Sequence, residues 1–432
     1  MELLEKQLAS LLPDYLARQR WFAGEAVPDR VDVVSCRVLD DGPPVLVWAL
    51  VAVPDHLAAY QVLVGLRPLS DTETFLEGKG RAFLGDLDLD DGAYLAYDAL
   101  VDPALAAQFL RLVAPDEEVA IVRPLPVDAS NTSVVFDDRL ILKLFRQVHA
   151  ESNPDAELVD ALASVGFEGV PRPVATWRVD GRDLAVVRAF HAGSTDGWDL
   201  ARTSLRDLYD RLLPPAECGG DFAPEAERLG QCTAQLHLAL AEACGASDAD
   251  PSAWVDALRT DDDPKEVAAV YDAVAALEPS AAGRAIRVHG DLHLGQALRT
   301  DGGWLFLDFE GEPRRPVAER TAPTSPVRDV AGMVRSFHYA AMAALYERHE
   351  TAGDVDQLEA LADQWVERNR DAFVEGYLGV DGIDALLPGD QWPAVLRAFE
   401  LGKAVYEVGY ERAHRPDWEA IPAAAVARLV RG

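Results

Sequence analysis

Three polar side chains in one short segment have the types and spacing that phosphoryl transfer requires. In VHGDLHLGQALRTDGGWLFLDFEGEP, residues 288–313, Asp291 is followed five residues on by Gln296, and the apolar run WLFLD then delivers Asp308. Transfer of a phosphoryl group needs a carboxylate to accept or orient the nucleophilic hydroxyl, and oxygen ligands that hold Mg²⁺ against the phosphates. Asp291 supplies the first; the Gln296 amide oxygen and the Asp308 carboxylate supply the second. An acid at the end of an apolar strand is costly unless it is solvated, paired or bound to a cation. Each piece alone is weak. His289-Gly290-Asp291 serves equally well as a structural turn, and Asp308 as the cap of a strand. The common register of all three favours the chemical reading. A rival is metal hydrolysis, since His289 and His293 bracket Asp291 in an H-x-D-x-H array. Zinc hydrolases need three protein ligands around an open position, and the other histidines form no second cluster, so this reading is the weaker.

The nucleotide has to be held upstream. In DASNTSVVFDDRLILKLFR, two short strand patterns flank a turn, and the second carries Lys143 inside an apolar run. A lysine there is expensive without an anion, either a phosphate or a carboxylate. The alternative is a residue on an edge strand that reaches out to water. Glu157, on the helix that follows, is placed to pair with Lys143 as a strand lysine pairs with a helix glutamate in kinases. The Asn131-Thr132-Ser133 turn lacks a G-x-G-x-x-G pattern, but its amides and hydroxyls could cover phosphates. Arg188 and Phe190, within Val187–Phe190, fall where adenine would be received by backbone hydrogen bonds. ATP and Mg²⁺ are the cofactors expected.

The elements that must position these groups fall into three segments. Residues 1–115 form a β-rich N-terminal cap module, with a short helix broken at Pro13, alternating strand patterns over 31–100 and a helical stretch near 104–114. Residues 116–196 form a small β-rich intermediate lobe with two hairpins, around Asp137-Asp138-Arg139 and Asp180-Gly181-Arg182. Between them lies a helix from about 154, with Pro154 near its first turn and Ser152 or Asn153 as cap. Residues 197–432 are a helical C-terminal lobe, with helical patterns at 197–212, 224–243, 264–277, 327–346, 357–378 and 392–412. One strand-and-loop stretch, 285–310, interrupts them. The layout implies an α+β, bilobal protein-kinase-like fold with an N-terminal β-rich cap module and a large helical C-terminal lobe.

Composition narrows the partners. The 432 residues carry 40 Lys plus Arg against 73 Asp plus Glu, a formal net charge of -33. Such a surface repels phosphate backbones and anionic lipid headgroups, so neither nucleic acid nor membrane is an expected partner. Cys36, Cys218, Cys232 and Cys244 have no metal-ligand spacing and read as buried thiols of a reducing compartment. The N-terminal stretch has acids where a signal peptide needs an apolar run, and no apolar stretch is long enough to span a bilayer. A cytoplasmic location is expected.

The chain resembles the actinobacterial maltokinases, relatives of aminoglycoside and choline kinases. The resemblance runs through QRWFAG at 19–24, YQVLVG at 60–65, NTSVVF at 131–136, NPDAEL at 153–158 and GGDF at 219–222. It continues through HGDLHLGQ at 289–296, DFEGEP at 308–313, SPVRDVAGMVRSFHYAA at 325–341 and KAVYEVGYERAHRPDW at 403–418. The resemblance implies transfer of the ATP γ-phosphate to the anomeric hydroxyl of maltose, giving maltose 1-phosphate for α-glucan (glycogen) synthesis. It also implies association with a trehalose-to-maltose isomerase. Asp291 would be the catalytic base, Gln296 and Asp308 the Mg²⁺ ligands, and Lys143 with Glu157 the phosphate-binding pair. Two departures stand out: the cap is short between 66 and 100, and Phe22 replaces the family's usual Tyr.

For the sugar, Lys403, Glu407 and Tyr410 are spaced to share one helix face, with Tyr406 beside them. Taken alone, these tyrosines pack a core and Lys403 and Glu407 form an ordinary surface pair; the resemblance turns the stripe toward a sugar. His289 and Arg335 are further polar candidates, Arg335 alternatively as half of a buried salt bridge. Arg328 and Asp329 can brace the catalytic loop. The same chemistry on an amino sugar, an aminoglycoside or another small hydroxyl acceptor is the alternative. A non-catalytic nucleotide-binding partner protein is the alternative of another class, disfavoured because the base and both metal ligands are present.

Overall fold

The computed structural model describes residues 1–24, 26–54, 56–70, 76–125, 130–260, 263–312, 315–348 and 355–431. Residues 71–75 of the short cap stretch and Pro313 of the DFEGEP motif lie outside them. The chain divides into two compact units, Met1–Ala156 with Arg172–Ala192, and Glu157–Pro171 with Gly193–Gly432.

The first unit holds helices α1 (Glu2–Ala17) and α2 (Pro103–Val113) and the first turn of α3 (Pro154–Ser164). Helix α1 runs through Pro13 instead of breaking there. Its residues Leu4, Leu8, Leu12, Tyr15 and Leu16 form a buried stripe at helical spacing. Five buried side chains at roughly 1.5–3 kcal/mol each outweigh the ~3 kcal/mol cost of an internal proline. The α3 cap is Asn153, whose Oδ1 accepts the N–H of Asp155 at 2.9 Å.

Two antiparallel sheets complete this unit. The first has the order Asp32–Asp40, Val45–Ala52, Ala59–Pro68, Gly92–Asp98, Phe83–Leu89, with the short strand Gln147–Val148 paired to Ala59–Pro68. The second has the order Pro173–Val179, Arg182–Ala189, Leu140–Phe145, Asn131–Phe136, Val122–Pro124. Both expected hairpins form, and Asp137, Asp138, Asp180 and Gly181 at their turns all have φ between 50° and 80°. Left-handed central residues match the twist of the flanking strands.

The segment 1–115 and most of 116–196, separate in the sequence reading, share this unit, whereas 157–171 and 193–196 fall in the second; buried polar side chains tie the shared parts together. Gln61, fully buried in the first sheet, donates to the carbonyls of Phe145 at 2.6 Å and Leu184 at 2.7 Å, and accepts the indole N–H of Trp48 at 3.0 Å. Arg146 lies over Trp21, donates to Thr132 Oγ1 at 2.8 Å and pairs with Asp98 at 2.5 Å. Asp98 also accepts the Tyr15 hydroxyl at 2.6 Å. Buried groups of this kind are costly to leave without partners.

The second unit is built on the helices α4 (Gly197–Arg211), α5 (Ala223–Cys244), α6 (Pro251–Leu258), α7 (Lys265–Ala275), α8 (Val317–Thr321), α9 (Val327–Arg348), α10 (Val355–Leu378), α11 (Trp392–His414) and α12 (Ala420–Arg431). The six long helical patterns of the sequence reappear as α4, α5, α7, α9, α10 and α11. Helices α6 and α8 are short, and α12, one residue longer than α7, was not anticipated in the sequence. A single large core includes Leu205, Leu229, Leu236, Phe337, Trp365 and Phe373. Two small sheets interrupt the helices. Thr195–Asp196, Ala297–Thr300 and Gly303–Phe306 form one, and Ala246–Asp248 with Arg284–Ile286 the other. All four cysteines are thiols, but only Cys218 is buried; Cys36 and Cys232 are half-buried and Cys244 is exposed at the end of α5.

Candidate active site

In the second unit, the loop 287–293 connects the strand Arg284–Ile286 to the turn before Ala297–Thr300, and its backbone is held from below. Asp329, in the first turn of α9, accepts the N–H groups of His289 at 2.8 Å and Gly290 at 2.9 Å. Its Oδ2 also lies 3.2 Å from His237 Nε2, and His237 Nδ1 lies 2.8 Å from the Tyr377 hydroxyl. All three side chains are buried. Burial would raise the Asp329 carboxyl, but His237, His289 and the Gly290 N–H hold it below its ordinary value. The loop can approach α9 because residue 332 is glycine: a Cβ there would stand 2.5 Å from the Leu292 carbonyl oxygen. Gly290 supplies the left-handed turn, with φ 84°.

This scaffold presents Asp291 to a cation. Lys403 Nζ, from α11, lies 2.7 Å from Asp291 Oδ1 and 2.9 Å from Glu312 Oε1. Glu312 is buried and also meets Arg315 at 2.5 Å and Arg328 at 3.3 Å. Burial pushes the Asp291 carboxyl up; the Lys403 ammonium, then His293 and His289, more than reverse this and hold it well below the usual carboxylate range. The Lys403 ammonium is pushed the other way: burial disfavours its charge, but Asp291 and Glu312 raise it well above the ordinary lysine value. Asp291 is thus an ionised carboxylate in a partly desolvated setting, as a proton acceptor for a bound hydroxyl must be.

The two flanking histidines serve the loop. His289 is buried against Phe309, and its Nε2 lies 2.8 Å from the Leu307 carbonyl oxygen. His293 Nδ1 accepts the Gly295 N–H at 3.1 Å, and burial, with Lys403 and His289, pushes the imidazole below its ordinary pKa. His289 therefore braces the strand that leads to Asp308 and does not present its ring to an acceptor.

Gln296 and Asp308 come together as the spacing implied, with Gln296 Nε2 3.2 Å from Asp308 Oδ2. Asp308 carries φ 63°, a left-handed conformation uncommon outside glycine, although asparagine and aspartate adopt it more readily than other residues. Such strain persists where the surroundings demand one side chain at one place. Asp308 and Glu310 also offer carboxylate oxygens within 4.8 Å of one another. An amide oxygen and neighbouring carboxylates are the hard donors that suit Mg²⁺.

In the first unit, Lys143 is 17% exposed and pairs with Asp155 at 3.3 Å, where the sequence reading points to Glu157. Arg188 meets the other oxygen of Asp155 at 3.0 Å, and Asp155 is completely buried. In the second unit, Glu157 pairs with Arg287 at 3.0 Å. The expected phosphate-covering turn is also different. Asn131, Thr132 and Ser133 start a strand, in register with Phe145, Leu144 and Lys143. Thr132 Oγ1 accepts the Arg146 Nε–H. The ladder occupies this backbone, so residues 131–133 form no phosphate-cradling turn. Downstream, the Ala189 N–H donates to the Arg172 carbonyl and the Phe190 N–H to the Arg139 carbonyl, so neither is available to adenine.

Two of the acceptor candidates, Arg335 on α9 and Glu407 on α11, meet directly. Arg335, buried, forms a salt bridge with Glu407 at 2.6 Å, and Lys403 stands 5.1 Å above the Tyr406 ring. Tyr410 stacks on His414 instead of on the core. The sequence reading missed several neighbours. Tyr339 donates to Glu411 at 2.5 Å, Arg415 pairs with Glu411 at 2.7 Å, and Trp418 stacks on Tyr339. Glu312, His237 and Tyr377 were missed too. Glu312 lies inside the DFEGEP motif, whereas His237 and Tyr377 look like ordinary members of apolar helix faces.

A half-buried aspartate on a braced loop, followed by paired oxygen donors, is an arrangement that phosphoryl transfer can use. Comparison with known proteins agrees. The phosphotransferase enzyme family matches residues 121–364, and the chain belongs to that family. The maltokinase N-terminal cap domain matches residues 15–102. The fold is the α+β, bilobal protein-kinase-like one expected, with its N-terminal β-rich cap and helical C-terminal lobe. The chain is similar to the glucosamine kinase of Mycolicibacterium smegmatis, 31% identical over 71% of this chain and 79% of that protein. It is also similar to the glucosamine kinase of Streptacidiphilus jiangxiensis, 30% identical over 69% and 71% of the two chains. A solved glucosamine kinase matches with TM-score 0.68 at 23% identity over 99% of both chains. Another, in complex with glucosamine, ADP and inorganic phosphate, matches with TM-score 0.65 at 23% identity over 98% of both. At that identity the likeness is one of fold. No helix of the described residues is long and apolar enough to cross a membrane.

Proposed function

We propose that the chain is an ATP-dependent sugar kinase whose acceptor is the anomeric hydroxyl of maltose. The observation that carries the choice of a neutral acceptor is charge pairing around Asp291 and along α9 and α11. Asp291 and Glu312 share Lys403, Glu407 has Arg335, and Glu411 has Arg415. An ammonium group would meet cations already in place, whereas a polyol can use the same groups as donors and acceptors. The match to a maltokinase cap domain supports the same acceptor.

In this reading Asp291 accepts the proton of the attacking hydroxyl as the O–P bond forms and the bond to ADP breaks. The products are maltose 1-phosphate, ADP and the proton. Catalysis of this kind rests on positioning and electrostatics. Lys403 orients Asp291 and holds it ionised, and Arg335 with Glu407 offers hydrogen bonds to sugar hydroxyls. Lys143, fixed by Asp155, is the cation assigned to nucleotide phosphates. Gln296 and Asp308 would hold Mg²⁺, which neutralises phosphate charge when bound. An isomerase that makes maltose from trehalose would be the upstream partner, and α-glucan synthesis the destination.

A second reading, phosphorylation of an amino sugar, is favoured by the names of the two relatives at 30–31% identity. ADP release with Mg·ATP across maltose, glucose, trehalose, glucosamine and an aminoglycoside, with NMR of the product, separates the two. Maltose-selective turnover giving an anomeric phosphate is expected; turnover confined to glucosamine would replace the first reading by the second.

A further inference from the structure

Behind the catalytic loop three cations meet two carboxylates, and the proposed reaction gives one of the carboxylates, Glu312, no step of its own. Glu312 is 4% exposed, and both of its oxygens are occupied. Oε1 accepts from Lys403 Nζ at 2.9 Å; Oε2 accepts from Arg315 Nε at 2.5 Å and from Arg328 Nη2 at 3.3 Å. Arg315 is fixed in turn, donating to the Ala257 carbonyl at 2.7 Å near the end of α6. Beside Lys403, residue 402 is glycine, and a Cβ there would stand 2.5 Å from Leu258 Cδ2, so α11 packs closely on the same end of α6. The space left among Asp291, Glu312, Arg315, Arg328 and Lys403 is about 20 Å³, room for about one water. Solvent therefore offers Lys403 no substitute for Glu312.

Asp291 is held on one side only. Its Oδ1 accepts from Lys403 at 2.7 Å, the side chain is 20% exposed, and among the described residues no hydrogen bond reaches Oδ2. Oδ2 is thus the oxygen left to meet a hydroxyl. The charged and titratable groups that face this carboxylate are Lys403 from α11, His293 and His289 from its own loop, and Glu312. Arg315, Arg328 and Asp329 line the same small space behind them.

The consequence concerns the proton. With Asp291 as its one partner, Lys403 would be left a buried ammonium without a counter-charge whenever Asp291 became protonated, which is costly. The carboxylate would then resist the proton it has to take. A second carboxylate that stays ionised pairs the ammonium in both states of Asp291. Burial raises the Glu312 carboxyl, but Lys403, Arg328 and Arg315 more than reverse this and hold it below its ordinary value. We propose that Glu312 is a positioning residue for the general base: it anchors Lys403 on Asp291 Oδ1, leaves Oδ2 to the acceptor hydroxyl, and keeps the ammonium paired once the proton has arrived. In that step the acceptor O–H bond breaks and its proton passes to Oδ2, as the O–P bond forms and the bond from phosphorus to ADP breaks. The inference rests on the reading of Asp291 as the base and on no choice of sugar.

Two measurements on the whole chain test it, with Glu312→Gln, Glu312→Asp, Lys403→Met and the double variant Lys403→Met/Glu312→Gln, each checked for folding by thermal unfolding. The first needs no turnover: NMR titration of the ¹³C-labelled Asp291 carboxyl, assigned by its loss in Asp291→Asn. In Lys403→Met the Glu312 carboxylate is a like charge beside Asp291 and opposes its ionisation. In the double variant Asp291 should therefore titrate about one pH unit lower than in Lys403→Met, the scale of a like charge a few ångströms away. The second is steady-state kinetics with the acceptor that the substrate panel identifies. Glu312→Gln should lower kcat about tenfold, a part of the whole contribution of a general base, and leave the nucleotide KM within about threefold. Glu312→Asp keeps the charge and shortens its reach, and its kcat should fall between the two. On the Lys403→Met background the same Glu312 substitutions should change kcat by less than about twofold, because the residue they act through is gone. An Asp291 titration that is the same in Lys403→Met and the double variant would overturn the proposal. So would a kcat loss of equal size with and without Lys403, which is what a purely structural role gives. If Glu312→Gln does not fold, the kinetic cycle with Lys403→Met is run on Glu312→Asp. Turnover on no acceptor would count against Asp291 as the base, and the titration would still report whether Glu312 governs its charge.

Discussion

At the scale of single residues, the proposed reaction turns on the Asp291–Lys403 pair. Replacing Asp291 by Asn keeps the shape and removes the proton acceptor. Turnover should fall by about 10²–10⁴-fold, the usual contribution of a general base, while nucleotide affinity measured by calorimetry stays within about threefold. The pH dependence follows from the sign of the shift. Asp291 must be ionised to act, and Lys403 holds its pKa well below the usual range. Wild-type kcat/KM should therefore show no acid limb from this group down to the pH at which the fold is lost. In Lys403→Met, burial is opposed only by the weaker histidine contributions. The carboxyl rises, and an acid limb should appear at or above the ordinary carboxylate pKa of about 4. A pH–rate profile that does not move would remove Lys403 from this role.

At the scale of elements, α9 holds the catalytic loop through Asp329. Asp329→Ala strands two loop N–H groups and the buried His237, a loss of roughly 3–5 kcal/mol by analogy with broken buried pairs. Chemical denaturation should report that loss, and turnover should fall with it although Asp291 is intact. Much of this was legible beforehand. The chemical segment 288–313 and the periodicities of the long helices lie close together in the chain, where type and spacing are informative. The pairings that were misjudged depend on which face of an element a residue occupies. Glu157 and Asp155 are two positions apart on α3, far enough to point in different directions. Likewise, a turn read at 131–133 is a strand because its partner strand 140–145 fixes the register. The His237–Tyr377 link joins residues 140 positions apart and leaves no local mark.

For the whole molecule, the net charge of -33 bears on both substrates in different ways. Mg·ATP is an anion and is repelled by the summed field, and salt screens that field over about 10 Å at 0.1 M. Raising ionic strength from about 10 mM to about 200 mM should lower the apparent KM for the nucleotide, by about two- to threefold on that basis. A neutral acceptor should show a KM that is flat with salt, whereas a cationic amino sugar should lose affinity as its attraction is screened. Steady-state kinetics at several salt concentrations thus tests the acceptor class independently of product identification.

The manner in which Asp329 holds the loop also bears on hydrogen exchange. The amide protons of His289 and Gly290 belong to no helix or sheet, yet their acceptor is a carboxylate sealed in the core and tied to α5 and α10. Freeing them requires α9 to part from the loop, which is close to global unfolding. In a deuterium-labelling experiment these two loop amides should exchange as slowly as the buried helices, and in Asp329→Ala they should exchange like surface amides. The catalytic loop would then have the lifetime of the core itself, and an enzyme that has lost it would already be unfolding.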